Sequence, residues 1–549
     1  MFMEAEDKQT VETPEQSVQQ PDVNADATGQ AVETETVAPP QADGTAVEEK
    51  PYKGFAGKLD KFFGIRKAKT TFRAEIVGGL VTFMAMVYIL MVNAGMFADP
   101  FGTGANVLGV SYGAIYIATA LSAIVGTMLM SLLARLPMAQ ASGMGLNAFF
   151  VFTICVGFGL SYANALVLVL IDGVVFILLT VTGLRKILFN AIPKVVRVAI
   201  PAGIGLFIAF IGLQNAGLVV ADGATLVKLA SFNFLADATY GSVMPLIVVV
   251  LGLIAVAVLS KKGVKGAVLW AILGSAALYW IFMAIGYGYG DDACKKVIDS
   301  FTFSNPIDAF KDWGTQSVGK VFTDGFNFDQ YLATHSGGSL ALVIITSSLA
   351  FCMVDMFDTM GTLYGACARG NMLEKDGSIP NMNKAMLCDA IATTTGAICG
   401  TSTVTTFVES SSGIAAGART GFASLITAAC FAVAMFLSPI AEMIPSAATS
   451  VALIYVGVLM MNCVREIEWT DVAEAVPAFL TIAMMPFTYN ISYGIAFGII
   501  SWLLIKLFVE LINLCSKKKA ETIPEKTEKI NVVTIVIAVL FILMFFLTH

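Results

Sequence analysis

The sequence predicts an all-α polytopic membrane protein made of two seven-span sets in opposite orientation. Three observations carry that prediction. The chain of 549 residues is 57% hydrophobic and 13% charged, whereas soluble domains carry roughly 25% charge, and its mean hydropathy is +0.78. Its apolar residues gather into many segments of about 20, the length that crosses a bilayer core. Its Lys and Arg residues fall in alternate loops, as expected of a chain that weaves through a membrane with its positive loops inside.

Residues 1–52 stand apart. The first 50 hold 12 acidic residues against Lys8 and Lys50, with many Gln, Thr, Pro and Ala. This composition reads as a disordered acidic tail. It has neither the basic start nor the apolar stretch of a signal peptide. The tail's −10 dominates the formal charge of −7, so the remainder is about +3. That balance gives no indication of nucleic acid as a partner.

Lys53, Lys58, Lys61, Arg66, Lys67, Lys69 and Arg73 precede the first span, at 75–97, and put the N-terminus inside. Spans follow at 110–133, 144–160, 162–182, 198–220, 243–259 and 265–288. The third contains glycines and reads as broken or short. Arg135, the Arg185/Lys186/Lys194/Arg197 stretch and the Lys261/Lys262/Lys265 loop would be cytoplasmic. The loops at 98–109 and 221–240 hold no Lys or Arg apart from Lys228, and 289–338 would be an external insertion.

The second set is expected at 340–366, 383–400, 403–416, 420–438, 447–464, 472–488 and 490–513, starting from the outside. Arg369, Lys375, Lys384, Arg419 and Arg465 fit this orientation, as do Lys517, Lys518 and Lys519. Seven plus seven with inverted topology is a transporter plan. Weak internal similarity supports it, as between GAVLWAILGSAALYW (266–280) and GIAFGIISWLLIKLF (494–508). Two segments sit awkwardly. Asp471, Glu474, Pro477 and Pro486 interrupt 472–488, which is either re-entrant or one bent span with 490–513. An additional apolar helix at 530–548 would carry the C-terminus outside.

The most unusual polar residues lie inside these spans. Asp355 and Asp358 sit three apart on nearly one helix face within an apolar segment, and a charge at bilayer centre costs roughly 2.5 kcal/mol or more. Glu409 follows in GTSTVTTFVESSSGIAAG (400–417), whose Thr/Ser/Val run favours extended backbone. SGMGLNAFF (142–150) occupies the matching third position of the first half and contains Asn147, an amide donor and acceptor. Two such breaks meeting near the midplane leave backbone groups free for a polar solute. Asp355, Glu409 and Asn147 are therefore candidate solute contacts. Asp358 is a candidate for proton coupling or site support, a role open to Asp355 and Glu409 as well. Two nearby carboxylates resist simultaneous ionisation, which suits a proton-carrying site. Phe149 and Phe407 flank these pieces, and aromatic faces suit a flat heterocycle. Thr359 and Thr362 are read as packing or intrahelical bonds, and Arg419 as a cytoplasmic anchor.

The nine cysteines are scattered without a CxxC, and His335 and His549 form no cluster. No metal or cofactor is expected. A membrane enzyme using paired carboxylates is a distant alternative, since no HExxH or nucleophile elbow supports it.

Several long runs resemble the AzgA-like purine permeases of the nucleobase–ascorbate, or nucleobase–cation symporter-2, superfamily. They are AEIVGGLVTFMAMVYILMVNAGMFAD (74–99), GMGLNAFFVF (143–152), GIGLFIAFIGLQNAG (203–217), VDMFDTMGTLYG (354–365), GTSTVTTFVESSSGIAAGARTG (400–421) and AVPAFLTIAMMPFTYNISYGIAFG (475–498). The resemblance implies a uracil-permease-like 7+7 inverted-repeat transporter fold with short strands in spans 3 and 10. It implies a core domain from 74–182 and 340–438, and a gate domain from 198–288 and 447–513. It further implies proton-coupled import of adenine, guanine or hypoxanthine, with Asn147, Asp355, Asp358 and Glu409 at the family's polar positions. Phe407 stands where a Tyr is more usual. Other nucleobases such as xanthine or uracil are the alternative cargo, and sodium the less favoured coupling ion. A homodimer in a bacterial inner membrane is compatible with the resemblance.

Overall fold

Ten helices among the described residues are long and apolar enough to cross a membrane, from Phe72–Ala98 to Ile491–Ile512. The computed structural model describes residues 54–183, 192–235, 238–299, 303–374, 378–515 and 530–547. The expectations for the acidic tail, Lys53, Arg185, Lys186, Lys375 and Lys517–Lys519 lie outside them.

Hydroxyl caps start several spans. Ser111 accepts from the Ala114 amide, Ser336 accepts from the Ser339 amide, and Ser161 with Asn164 forms a reciprocal capping box. Each supplies a partner for backbone N–H groups that the helix leaves unpaired. Apolar side chains cover the outward faces: Leu178 is 58% exposed and Val181 72%. In water such a surface would be costly; lipid makes it neutral.

The helices pack in two groups. One gathers Phe72–Ala98, Tyr112–Ala134, Tyr162–Thr182, Gly337–Arg369, Met382–Cys399 and Gly421–Glu442. The other gathers Lys194–Asn215, Tyr240–Lys261, Ala267–Tyr289, Ser446–Glu466, Val472–Thr488 and Ile491–Cys515. Within the second group, Gly205 and Gly457 let two helices touch backbone to backbone: a Cβ on Gly205 would lie 2.8 Å from the Gly457 carbonyl oxygen. Small residues serve this purpose where no hydrophobic effect drives helices together.

Two short strands, β1 (Gln140–Ser142) and β4 (Val404–Thr406), pair antiparallel with Ala141 opposite Thr405. The Gly143 amide donates to the Thr403 carbonyl and the Phe407 amide to Ala139, extending the ladder at both ends. Each strand leads into a short helix. Met144–Ala148 follows β1 and widens into π-helical turns over Phe149–Gly157, whereas Ser410–Ala415 follows β4.

The structure departs from the sequence reading in three places and decides between its alternatives in one. The fifth span stops at Asn215, because Gly217 takes a positive φ and Val219 and Val220 enter a hairpin of β2 (Val219–Asp222) and β3 (Leu226–Leu229). Residues 472–488 and 490–513 form two separate helices, Val472–Thr488 and Ile491–Cys515, as the span list expects, and not the alternative single bent span. Tyr489 takes a left-handed conformation, and Gly494 and Gly498 lie against Thr481 and Met485, so the chain reverses into a helical hairpin. The 289–338 segment is no loose loop. Its helices Asp292–Asp299 and Pro306–Asp312 are followed by Trp313, whose indole donates to the Cys399 carbonyl at 2.9 Å, and by Gln316, which accepts from the Ser111 amide at 2.8 Å. The additional C-terminal helix, Val532–Leu547, has 16 residues, about 24 Å long and so shorter than a bilayer core. It packs on the Gly337–Arg369 and Ile491–Cys515 helices through contacts such as Tyr493–Phe545.

Candidate functional site

A narrow cleft, with free space of only about 20 Å³, separates the two helix groups beside the strand crossing. Gly145 and Leu146 line it from the helix after β1, Val354, Phe357 and Asp358 from the Gly337–Arg369 helix, and Ile200, Pro201, Ile204 and Met460 from the facing group. Asp358 is the acid on this otherwise apolar wall. Helical spacing explains the arrangement, since Val354 and Asp358 are four apart and share a face.

Asp355 lies one helix position round and is wholly buried behind the cleft. Its Oδ2 accepts from Thr393 at 3.4 Å, and its Oδ1 has no protein partner. Glu409 is half-buried at the helix start after β4, and its Oε1 accepts from the Tyr88 hydroxyl at 2.6 Å. Asp358 Oδ2 accepts from Thr405 at 3.4 Å, so β4 connects directly to the cleft acid.

Asn147 does not line the cleft. It is fully buried, its Oδ1 accepts from Ser402 and its Nδ2 donates to the Ser142 carbonyl at 3.4 Å, so it clamps the two broken segments together. A second polar brace lies beside it. Asn93 Nδ2 donates to Thr119 at 2.7 Å and to Thr401 at 3.0 Å, and Thr401 pairs with Ser142 at 2.8 Å. Phe149 is likewise buried, edge-on to Phe351 with ring centroids 4.6 Å apart. Phe407 is 7% exposed at the end of the strand ladder.

Sequence reasoning missed two further acids. Asp172, in the Tyr162–Thr182 helix, and Asp389, in the Met382–Cys399 helix, are both wholly buried near Asp355. Thr403 donates to Asp172 at 3.4 Å. Asp389 accepts from Gln140 at 2.8 Å, Thr406 at 3.3 Å and Thr359 at 2.8 Å. Thr359 is thus no intrahelical filler, because its hydroxyl reaches across to two other elements. The signal for Asp172 was present: one acid in a 21-residue apolar helix. Asp389, five residues after Lys384, reads in sequence as close to a membrane edge. Tyr88 carried no sequence signal, since only the fold brings it to Glu409.

The arrangement offers a carboxylate on an apolar wall between two helix groups, with a crossing of extended backbone and further buried acids behind it. It can bind a small polar solute with an apolar body. Residues 73–497 match the pattern of the Permease family, Xan_ur_permease. The chain is 38% identical over 448 residues to the guanine/hypoxanthine permease PbuO of Bacillus subtilis, covering 81% of this chain and 94% of that one. It is 34% identical over 451 residues to the adenine permease AdeP of Escherichia coli, with 82% and 91% covered. It is 35% identical over 489 residues to an Aspergillus versicolor protein described as the efflux pump notK', with 81% and 80% covered. Among solved structures, the murine Solute Carrier 26 family member A9 anion transporter shares the fold with a TM-score of 0.53 at 12% identity, over 84% of this chain and 74% of that one.

Proposed function

This chain belongs to the Permease family, and from that premise we propose that it is a purine nucleobase:proton symporter importing adenine, guanine or hypoxanthine by alternating access. The observation that carries the reading is the cleft between the two helix groups, with Asp358 on its wall and the β1–β4 crossing beside it. A purine is a flat apolar ring with N–H donors and ring-nitrogen acceptors at its edge. Leu146, Phe357 and Ile204 suit its faces, and carboxylates suit its N–H groups. Similarity to purine permeases along nearly their whole length supports this cargo.

In this reading the two helix groups are the core and gate of a 7+7 inverted repeat. The matching strand-then-helix order after positions 139 and 403, in antiparallel register, supports the inversion. Asp358 and Glu409 contact the base, and Phe407 borders it. Asn147 and Phe149 hold the crossing in shape, and Asp355 supports the site from behind the cleft. The base and a proton bind from outside, the core moves against the gate, and both leave inside. One proton moving down a potential supplies about 2.3 kcal/mol per 100 mV, or about fiftyfold accumulation. The same reading puts the protein in a bacterial inner membrane, with Lys58, Lys61 and Arg66 on the cytoplasmic side.

The test is uptake of radiolabelled adenine, guanine and hypoxanthine into cells lacking their own purine permeases, with and without a protonophore. Protonophore-sensitive accumulation of a purine, lost in Glu409→Gln and in Asp358→Asn, is expected. Export from preloaded cells would instead favour the opposite direction, a reading that the efflux-pump relative motivates. Absence of all purine movement in membrane-inserted wild type would overturn the cargo.

A further inference from the structure

The hydrogen bonds linking Asp358 to Asp389 need one more proton than their hydroxyls contain. Asp358 Oδ2 lies 3.4 Å from Thr405 Oγ1, Thr405 Oγ1 lies 2.8 Å from Thr359 Oγ1, and Thr359 Oγ1 lies 2.8 Å from Asp389 Oδ2. This is a line of carboxyl, hydroxyl, hydroxyl and carboxyl with three links. Each hydroxyl has a single hydrogen and an ionised carboxylate has none. With both acids ionised, the two hydrogens fill the two 2.8 Å links and the 3.4 Å contact between Asp358 and Thr405 is left without one. One added proton completes every link.

The proton can sit at either end. On Asp358 it is donated to Thr405, Thr405 then donates to Thr359, and Thr359 donates to Asp389. On Asp389 every donation runs the other way. Passing from the first state to the second moves the Asp358 proton to Thr405 Oγ1, the Thr405 hydrogen to Thr359 Oγ1 and the Thr359 hydrogen to Asp389 Oδ2, so each hydroxyl loses one hydrogen and gains one and one net proton is delivered inward. Asp358 borders the cleft, while Asp389 is wholly buried.

The surroundings favour holding a proton here. Asp172 and Asp355, the other acids acting on Asp389 and Asp358, are wholly buried, and each has an Oδ1 without a protein partner. Glu409 is the further acid facing Asp358. Burial makes charge on Asp389 costly, and any charge carried by these neighbours opposes a second charge on the line. Gln140 and Thr406 fix the other oxygen of Asp389, which leaves Oδ2 aimed along the line.

We propose that Asp358 and Asp389 share one transported proton through Thr405 and Thr359, with Asp389 as its inner resting place. This rests on the proton-coupled reading above and assigns that coupling to a specific path. Thr359 and Thr405 are relay residues, and neither borders the cleft.

The test uses purified full-length protein in proteoliposomes with radiolabelled adenine, guanine and hypoxanthine. Two readouts are compared: accumulation driven by an imposed pH gradient, and counterflow against preloaded unlabelled base, which needs no net proton movement. With one pH unit imposed, one proton per base supports about tenfold accumulation in wild type. Thr359→Val and Asp389→Asn are expected to abolish that accumulation while counterflow persists, and Thr359→Ser is expected to restore it. Infrared spectra give a ligand-free reading: the carboxylic C=O band of the resting protein should shift in Thr359→Val. Wild-type accumulation that responds to pH, with Thr359→Val and Asp389→Asn responding equally, overturns the relay alone. Counterflow in wild type without any response to pH overturns the coupling reading and the relay with it. Loss of both activities in well-folded Thr359→Val assigns these hydroxyls to structure and also overturns the relay, as does an unshifted C=O band.

Discussion

Buried acids in this chain fall into two kinds, separated by what bonds to them. Glu75 is wholly buried, yet its two oxygens accept from the backbone amides of Arg419, Thr420 and Ala423. Those amides open the Gly421–Ala434 helix, so Glu75 acts as a cap supplied by another span. Asp355 and Asp172 each keep an unpartnered oxygen, and nothing in the packing requires an acid there. Glu75→Leu should therefore act on stability, leaving amides unpaired at about 1–3 kcal/mol. Thermal unfolding in detergent should fall, while purine affinity of the folded fraction stays at the wild-type value. Reduced affinity at unchanged stability would move Glu75 into the functional class. Intramembrane rarity flagged Asp355, Asp358 and Glu409 in the sequence, but only the bonding pattern distinguishes Glu75 from them.

At the scale of elements, the strand crossing depends on very few bonds. β1 and β4 have three residues each, far below what holds a sheet alone. Side chains make up the difference, chiefly Ser402 to Asn147 and Thr127 to both backbone groups of Gln140. Hydrogen bonds between spans average about 0.6 kcal/mol and reach about 1.7. Ser402→Ala should cost stability of that order yet lower transport at least severalfold, because the crossing carries Thr405 and Glu409. Transport equal to wild type would show that the backbone ladder suffices. The 289–338 segment has its own anchor. Asp291 accepts from the Cys294 amide at 3.0 Å and from the Gly241 amide at 3.3 Å. The Cys294 amide, opposed by burial and aided by Gly241, holds this carboxyl below its ordinary value of 3.8. A lowered folded value means stability that is fully present at neutral pH and lost as pH falls through that value. Asp291→Asn should leave a flatter melting profile below about pH 4, and an unchanged acid limb would dismiss the anchor.

At the scale of the whole molecule, the proposed alternating access moves one helix group against the other, and the cleft lies where they meet. Gly145 is the closest approach there: an added Cβ would come within 2.5 Å of Ile204 Cγ2. Gly145→Leu should hold the groups apart and abolish uptake while the protein inserts and melts normally. Wild-type uptake in that variant would show that this contact does not close during transport. A second cavity of about 170 Å³, bordered by Asp99, Asn215 and Glu442, lies between the same groups.

The sequence by itself determined the membrane class, most span positions, the two glycine- and hydroxyl-rich breaks and the acids Asp355, Asp358 and Glu409. These are legible because lipid punishes each exposed polar group locally, so apolar runs and their exceptions stand out residue by residue. Only the tertiary structure decided which acid borders the cleft, that Asn147 clamps the breaks, that 472–488 reverses into a hairpin and that Asp389 joins Asp358 through Thr359 and Thr405. Those depend on contacts such as Asn147–Ser402, 255 positions apart in the chain. Hydroxyls and amides have no orientation in a linear pattern, and their partners exist only once spans from both halves of the chain have packed.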